Sequence, residues 1–451
     1  MPQLIVSISG IRGIVGDGLG PAEARAFGLA FGTHLGGPEG GGVVLGRDTR
    51  PSGPMLAEAL KEGFLRAGCR ALDVGVLSTP GVAVAVRHLG AGGGAVVTAS
   101  HNPAAYNGIK LLSSSGRALS REDGRAVRDR FQRRAFTEVS PDAIGRGETV
   151  LDAARIHVER VLAVVDAERI RGRRFRVALD PVNGAGGAEM VRLLESLGCR
   201  VHAINVEPTG EFGRGPEPTP ENLADLAEAV CRHGAAVGFA LDPDADRLSL
   251  VDETGRPVGE EYTLALVCRH RLSQERGPLA ANLSTSRMLD EVAEAAGVTL
   301  YRTPVGELNV AEAIEREGCL IGGEGNGGVI DPRVCPVRDG LVGAALVLEM
   351  MATSGRPLSE HCSDLPVYTM VKEKAPLGDA EASEVLEAVR RRFPDARLDE
   401  RDGVYLAWED GWLHVRASNT EPILRIIAEA TEEHTARSRV REVMNLARPP
   451  G

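Results

Sequence analysis

The sequence predicts an α/β protein: three similar doubly wound α/β units with mixed, mainly parallel sheets, then a small C-terminal α+β domain. Length is the first observation. A chain of 451 residues is too long for one core, and roughly three to four domains are expected. The second is a cycle of strand, loop, helix, strand and polar loop that recurs three times ahead of Ser363, with little residue identity between copies. The third is the alternation of apolar strand runs with helical patterns, which implies mainly parallel sheets.

In the first unit, Leu4 to Val15 begins as an alternating strand and turns at Ser9–Gly13. Arg12 projects from that Gly-bracketed turn, where it could meet an anion or simply lie on the surface. Pro21, at the favoured first position, opens a helix to about Leu35. The strand Val43–Leu45 runs into a polar loop, Arg47–Arg50, and a helix from Ser52 to Ala67 follows. Strands at Ala71–Val76 and Ala95–Thr98 continue the sheet. The latter ends in Ser100, His101, Asn102 and Pro103, a strong turn signal. Ser100 is thus placed on a loop at the end of a core strand, where open α/β sheets carry chemistry. Shaping a turn or capping a helix is the plainer alternative. Lys110 lies ten residues on, and a hairpin return could bring it back to the same cleft.

The second unit has a strand to Asp180 with a Gly-rich loop, Asp180–Gly186, a helix from about Ala188, and a strand Ala235–Leu241 ending in Asp242-Pro243-Asp244-Ala245-Asp246-Arg247. The third runs through Leu279–Leu283, the helix Met288–Ala296 and the strand Leu300–Pro304 to the loop Gly322–Gly328. An exposed run, Pro141–Thr149, precedes a linking helix, Leu151–Val165, and Asp252–Gly255 closes the second unit. The expected domains are 1–152, 153–253, 254–364 and 365–451. The last has strands at Tyr368–Lys372, Gly403–Trp408, Trp412–Ala417 and Ile423–Ala430, with helices at Ala380–Arg392 and Thr431–Leu446.

Three carboxylates at alternate positions, Asp242, Asp244 and Asp246, are costly together unless a cation neutralises them. Hard oxygen donors suit Mg²⁺ with positions left open for a phosphate oxygen. An EF-hand register would place Glu253 at its twelfth position, but Arg247 stands where that loop needs Gly and both flanks read as strands. A phosphatase with an aspartyl nucleophile is another rival; Arg247, next to the last Asp, suggests a grip on a phosphoryl group instead. Glu324 and Asn326 sit on a Gly-rich loop that could approach a polyol or be a plain turn. Arg416, Ser418, Asn419 and Thr420, with Arg425 on the next strand, form an inventory for holding a phosphate dianion. The absence of a P-loop pattern argues against a P-loop kinase.

The net charge of −11 and the lack of a dominant Lys/Arg cluster argue against nucleic acid; the basic run Arg128–Arg134 fits a solvated helix face. Seven scattered cysteines without Cys-x-x-Cys spacing fit reduced thiols in a cytoplasm. The N-terminal residues lack a signal-peptide pattern, and no apolar run approaches membrane-spanning length, so no membrane partner is expected.

With its loops in the order TASHNP, DPDADR, GEGNGG and RASNTEP, the chain resembles the α-D-phosphohexomutase superfamily along essentially its whole length. The resemblance implies four domains around a central cleft, a phosphoserine at Ser100, and one Mg²⁺ held by Ser100, Asp242, Asp244 and Asp246. It implies Arg12 and Arg247 near the transferring phosphoryl group and His101 and Lys110 as proton carriers, Lys110 set among Arg12, Arg47 and the metal. Glu324 and Asn326 would read the sugar, and Arg416, Ser418, Asn419, Thr420 and Arg425 would hold the phosphate not being transferred. The implied reaction moves phosphate between a hexose 6-phosphate and its 1-phosphate through a hexose 1,6-bisphosphate that also activates the enzyme. Its small-molecule partner is a sugar phosphate, and a monomer or homodimer is expected. SISGIRGIVG, RTPVGELNV and GGEGNGGVI look most like archaeal-type phosphoglucosamine mutases, with phosphomannomutase/phosphoglucomutase as the alternative. A relative that binds sugar phosphate without turnover is the reading from another class. Two positions depart from many members: Gly328 and Glu307 stand where histidines are common.

Overall fold

A sheet of eight strands surrounds the serine loop in the computed structural model, which describes residues 4–377, 381–418 and 423–447. Its order is Ile5–Ser7, Gly10–Val15, Tyr106–Ser113, Gly93–Val97, Gly42–Arg47, Arg70–Val76, Gly147–Thr149, with Gly18–Leu19 beside Gly10–Val15. Four strands, Gly42–Arg47, Arg70–Val76, Gly93–Val97 and Gly147–Thr149, run parallel to their neighbours in that half of the sheet. Tyr106–Ser113 returns antiparallel to Gly93–Val97, pairing Lys110 with Val96. Helices Pro21–His34, Gly53–Arg66 and Arg121–Gln132 build the core on one face, around Phe27, Phe31, Phe64 and Phe131. Helix Thr79–His88 covers the other, where Gly46 and Gly94 leave room for Val82 and Val86.

Two expectations are corrected here. The turn lies at Ile8–Ser9, and Arg12 sits within the strand Gly10–Val15. The glycine there serves sheet pairing: Gly10 has φ +135°, and a Cβ on it would stand 1.9 Å from the Ile109 carbonyl oxygen. The run near Pro141–Thr149 is also more ordered than predicted, because Gly147–Thr149 pairs as an edge strand with Ala71–Asp73.

The chain forms two compact units, Met1–His270 with Asn326–Cys362, and Arg271–Gly325 with Ser363–Gly451. The first unit also holds a four-stranded sheet, ordered Arg200–Ala203, Arg176–Asp180, Val237–Leu241, Leu248–Asp252. Its first three strands are parallel and the last is antiparallel. Helix Gly340–Ser354 is buried from Gly340 to Ala352 and apolar over that stretch except for Glu349, which accepts from the Asp166 amide; Asp339 caps it by accepting from the Leu341 and Val342 amides. Behind it, His157 is fully buried between two carboxylates: Nδ1 lies 2.9 Å from Glu189 Oε1 and Nε2 2.9 Å from Asp339 Oδ2. Burial alone would push this imidazole down. Asp339 and Glu189 override it and raise the group to about 10, so the ring is an imidazolium.

In the second unit, Leu300–Thr303, Leu279–Asn282 and Ile321–Glu324 pair in parallel in that order. The C-terminal sheet is antiparallel: Thr369–Pro376, Ile423–Ala430, Gly411–Ala417, Val404–Trp408, Arg397–Asp399. Helices Ala382–Arg392 and Glu433–Leu446 bury Val385, Val389, Val440 and Val443 with Leu413, Val415 and Ile426 of that sheet. Half-buried bonds join it to the loops that follow the parallel strands of the same unit: the Arg287 amide donates to Glu429 Oε2 at 2.8 Å, and the Val305 amide to Asp402 Oδ2 at 2.9 Å. The seven cysteines are all free thiols, and six are buried. Among the described residues no helix is long and apolar enough to cross a membrane.

Candidate active site

The carboxylates of Asp242, Asp244 and Asp246 cluster at the hairpin between Val237–Leu241 and Leu248–Asp252, each fully buried. Neighbouring backbone fixes the loop carbonyl by carbonyl. Ala245 N–H donates to Asp242 O, Ala185 N–H to Pro243 O, Thr79 N–H to Asp244 O and Gly340 N–H to Ala245 O, all at 2.8–3.0 Å. Ala245 itself takes φ +57°, an uncommon conformation for alanine that this scaffold enforces. The Gly-rich loop after Asp180 is a buttress: a Cβ on Gly184 or Gly186 would stand 2.6 Å from Pro243 O or 2.5 Å from Ala245 Cβ.

Ser100 lies beside this loop, 4% exposed, and its Oγ donates to Asp242 Oδ2 at 2.8 Å. Its φ of +49° is left-handed, a conformation worth roughly 1–3 kcal/mol of strain for a non-glycine residue. Arg50 holds it there. The guanidinium, wholly buried, donates to the carbonyls of Ser100 and Asn102 through Nη2 (2.6 and 2.7 Å) and to those of Pro103 and Tyr106 through Nη1 (2.7 and 3.0 Å). Asp48 pairs with Arg50 Nε at 3.1 Å and accepts from Thr98 Oγ1, which in turn accepts from the Ser100 amide. Sequence reasoning passed over Asp48 and Arg50 as a polar loop; their place at the end of the next parallel strand was the available signal.

Arg247 is 7% exposed. It donates through Nη1 to Glu217 at 2.6 Å and through Nη2 to His101 Nδ1 at 2.9 Å, while its buried Nε has no hydrogen-bond partner. Burial, with the adjoining Arg247 charge, pushes His101 down to about 2, so the ring is neutral and, with Nδ1 accepting, carries its proton on Nε2. Arg12 donates to Asn102 Oδ1 at 2.8 Å and so joins the serine loop. Lys110 reaches the acidic cluster, with Nζ 2.6 Å from Asp244 Oδ2 and 3.3 Å from Asp246 Oδ2. Its close neighbours are therefore carboxylates, where the sequence suggested arginines. Thr79, which no motif marked, donates through Oγ1 to Asp244 Oδ2 at 2.7 Å.

This donor set fits a hard divalent cation. One oxygen from each aspartate lies within 4.8 Å of the others, and the Oδ1 atoms of Asp244 and Asp246 are buried without a hydrogen-bond partner. Burial and mutual repulsion hold Asp242 well above the ordinary carboxylate range. Burial would do the same to Asp246, but Arg338, Lys110 and Arg247 hold it below that range. Three carboxylates here thus depend on positive charge. The structure agrees with the rejection of an EF-hand: strands flank the loop, and Glu253 accepts from the Ser359 amide at 3.2 Å.

The other predicted residues divide between the units. Asn326, in the first unit, has a buried Oδ1 without a partner. Glu324, in the second, is 5% exposed and accepts from Asn282 Nδ2 at 2.7 Å and the Gly306 amide at 3.1 Å. Glu307 begins helix Glu307–Glu317, where a carboxylate complements the helix dipole. In the C-terminal sheet Arg416 stands directly across from Arg425, and Lys374 pairs with Arg425 on its other side. Three cations abreast repel one another unless an anion lies over them. Lys374 is an addition to the predicted set. The Ser418 amide closes the hairpin on Ile423 O at 2.9 Å. Asn419 and Thr420 lie outside the described residues.

Four sequence models, all termed phosphoglucomutase/phosphomannomutase, match the chain in succession: alpha/beta/alpha domain I over residues 4–138, domain II over 155–255, domain III over 260–368 and the C-terminal domain over 370–446. A "Phosphoglucomutase/phosphomannomutase" of Thermococcus kodakarensis is 42% identical over 95% of each chain. A "Probable phosphoglucosamine mutase" of Methanopyrus kandleri is 40% identical over 98% of this chain and 97% of its own. The crystal structure of a phosphoglucomutase/phosphomannomutase family protein from Burkholderia thailandensis superposes with a TM-score of 0.87 at 28% identity, covering 99% of this chain and 98% of the other. Matched from its first sheet to its last, the chain belongs to the phosphoglucomutase/phosphomannomutase family and is an α-D-phosphohexomutase, an isomerase.

Proposed function

We propose that this phosphohexomutase interconverts glucosamine 6-phosphate and glucosamine 1-phosphate through a phosphoserine at Ser100 and a glucosamine 1,6-bisphosphate intermediate, the bisphosphate also serving as activator. The observation that carries the mechanism is Ser100 Oγ at 2.8 Å from Asp242, on a strained loop held by Arg50 next to buried carboxylate oxygens without hydrogen-bond partners. Asp242, Asp244, Asp246 and the phosphorylated serine would hold one Mg²⁺. When bound, it supplies charge neutralisation for the phosphoryl group.

The chain's own residues do the rest. A sugar hydroxyl oxygen attacks the phosphorus, the P–Oγ bond breaks, and its electron pair returns to Ser100. The Nε of Arg247, without a hydrogen-bond partner, is placed for phosphoryl charge, with Arg12 bound to Asn102 of the serine loop. Lys110 is the proton carrier by position. His101, neutral and held by Arg247 at Nδ1, stands beside it as the second proton carrier, with its proton on Nε2. In the second half-reaction the other phosphate returns to Ser100, while Arg416, Ser418, Asn419, Thr420 and Arg425, now joined by Lys374, hold the one not being transferred.

Glucosamine is favoured by the buried carboxylate of Glu324, which is fixed by Asn282 and could pair with an ammonium, with Asn326 reading a neighbouring hydroxyl. Several curated relatives named probable phosphoglucosamine mutase point the same way. The relative named phosphoglucomutase/phosphomannomutase supports the alternative sugars. Turnover of glucosamine, glucose and mannose phosphates, measured side by side, decides. Glu324→Gln keeps the acceptor for Asn282 and should lose roughly ten- to hundredfold more activity on the amino sugar than on glucose phosphate. Faster wild-type turnover of glucose or mannose phosphate would sink the sugar assignment and leave the mutase mechanism standing. Intact mass separates the third possibility, a binder without turnover, which would carry no phosphate on Ser100.

A further inference from the structure

The loop at Asn326–Gly328 and the acidic cluster are coupled through the side chain of Arg338, the residue before the cap of helix Gly340–Ser354. Arg338 runs past Gly328 to the acidic cluster, where Nη2 donates to Asp246 Oδ2 at 2.6 Å. A Cβ on Gly328 would stand 2.2 Å from Arg338 Cδ and 2.8 Å from Cγ, so no larger residue fits there with the arginine in this path. The stem is well enclosed, with the side chain 12% exposed, and Asp246 is wholly buried. Lys110 donates to the same oxygen, Asp246 Oδ2, at 3.3 Å. Two fixed cations therefore crowd the carboxylate that a divalent ion would use, both on Oδ2, and leave its Oδ1 without a hydrogen-bond partner.

We propose that Arg338 is a positioning residue of the phosphoryl-transfer site, which fixes the Asp246 carboxylate and competes with the divalent cation for it, and that Gly328 is glycine to let its stem pass. The inference rests on the metal site of the proposed function and adds a residue to it. Its physical content is a trade. A guanidinium on Asp246 brings lasting positive charge to the place where a phosphoserine dianion must be accommodated. The same charge repels a second cation a few ångströms away. Divalent affinity is lowered, and the carboxylate keeps one orientation whether or not the ion is present.

A structural prop and a competitor give opposite signs in a binding experiment. Unphosphorylated wild-type protein and variants are titrated with Mn²⁺, followed by its EPR signal, without substrate. Arg338→Ala should bind Mn²⁺ about tenfold more tightly, because a competing charge has gone, while kcat on the sugar phosphate falls roughly a hundredfold. Arg338→Lys should keep Mn²⁺ affinity near wild type. Gly328→Ala, which forces the arginine stem aside, should also tighten Mn²⁺ binding and depress kcat. In the Arg338→Ala background it should add almost nothing, since the two changes act on one contact. Weaker or unchanged Mn²⁺ binding in Arg338→Ala overturns the proposal. Should that variant not fold, Gly328→Ala with unchanged binding overturns it equally. A wild-type protein that binds no Mn²⁺ removes the metal site itself, and so marks the failure of the underlying reading.

Discussion

Ser100→Ala should reduce kcat by roughly four orders of magnitude or more, the scale of losing a nucleophile whose partners remain in place. The fold should survive. The serine loop is held by four backbone carbonyls on Arg50, and none of those bonds needs the hydroxyl. What disappears is the Oγ that donates to Asp242 and the atom that would carry phosphate. Intact mass gives a second readout: a fraction of wild-type molecules should carry one added phosphate and the variant none. Near-normal turnover in Ser100→Ala, with no phosphate elsewhere on the chain, would sink the phosphoserine mechanism.

The second large effect belongs to the acidic cluster. Exhaustive chelation should abolish activity, and added Mg²⁺ should restore it. Asp244→Asn should weaken divalent binding by at least roughly a hundredfold, because it removes one of three charged donors from a buried site where neutral oxygens compensate poorly. Either oxygen of Asp244 has a task. Oδ2 accepts from Thr79 and Lys110, and Oδ1 has no protein partner. Unchanged activity after chelation would remove the metal from the mechanism, whatever the variant does.

Much of this was legible in the chain. Alternating apolar runs and their loops placed the strands that carry Ser100, the three aspartates and Glu324, because strand-end chemistry follows from local pattern. Lys110 was found because a hairpin return is a local event. Arg12 was found for the wrong reason: its flanking glycines serve close strand approach, with Ile109 O against Gly10, and not a turn. Arg50, Thr79 and Arg338 were missed. Each acts on a partner distant in sequence: Arg50 on Ser100 and Tyr106, Thr79 on Asp244, Arg338 on Asp246. No local periodicity encodes such contacts. The strand Arg397–Asp399 was missed because it is short and charged, and Lys374 because only the register across three strands aligns it with Arg425 and Arg416. The bonds from Arg287 and Val305 to Glu429 and Asp402 likewise join segments that the sequence treats as separate modules.

The imidazolium of His157 gives the scaffold behind the metal loop an alkaline weakness. Glu189, on one side of the ring, also accepts from the amide of Ser78, the cap of helix Thr79–His88, whose first residue grips Asp244. Asp339, on the other side, caps the helix whose Gly340 holds Ala245. The ring's folded value of about 10 lies above its ordinary 6.5. Its stabilising contribution is therefore complete below 6.5 and is lost as pH rises through 10. Denaturation midpoints of wild type and His157→Gln should differ at about pH 6 and converge as the ring loses its proton; a gap that stayed constant into the alkaline range would mean the ring is not charged. Acid, which ordinarily loosens carboxylate-rich interiors, leaves the cation of this clasp in place. Alkali opens it from the cationic side, and the first thing released is the backing of Asp244 and Ala245.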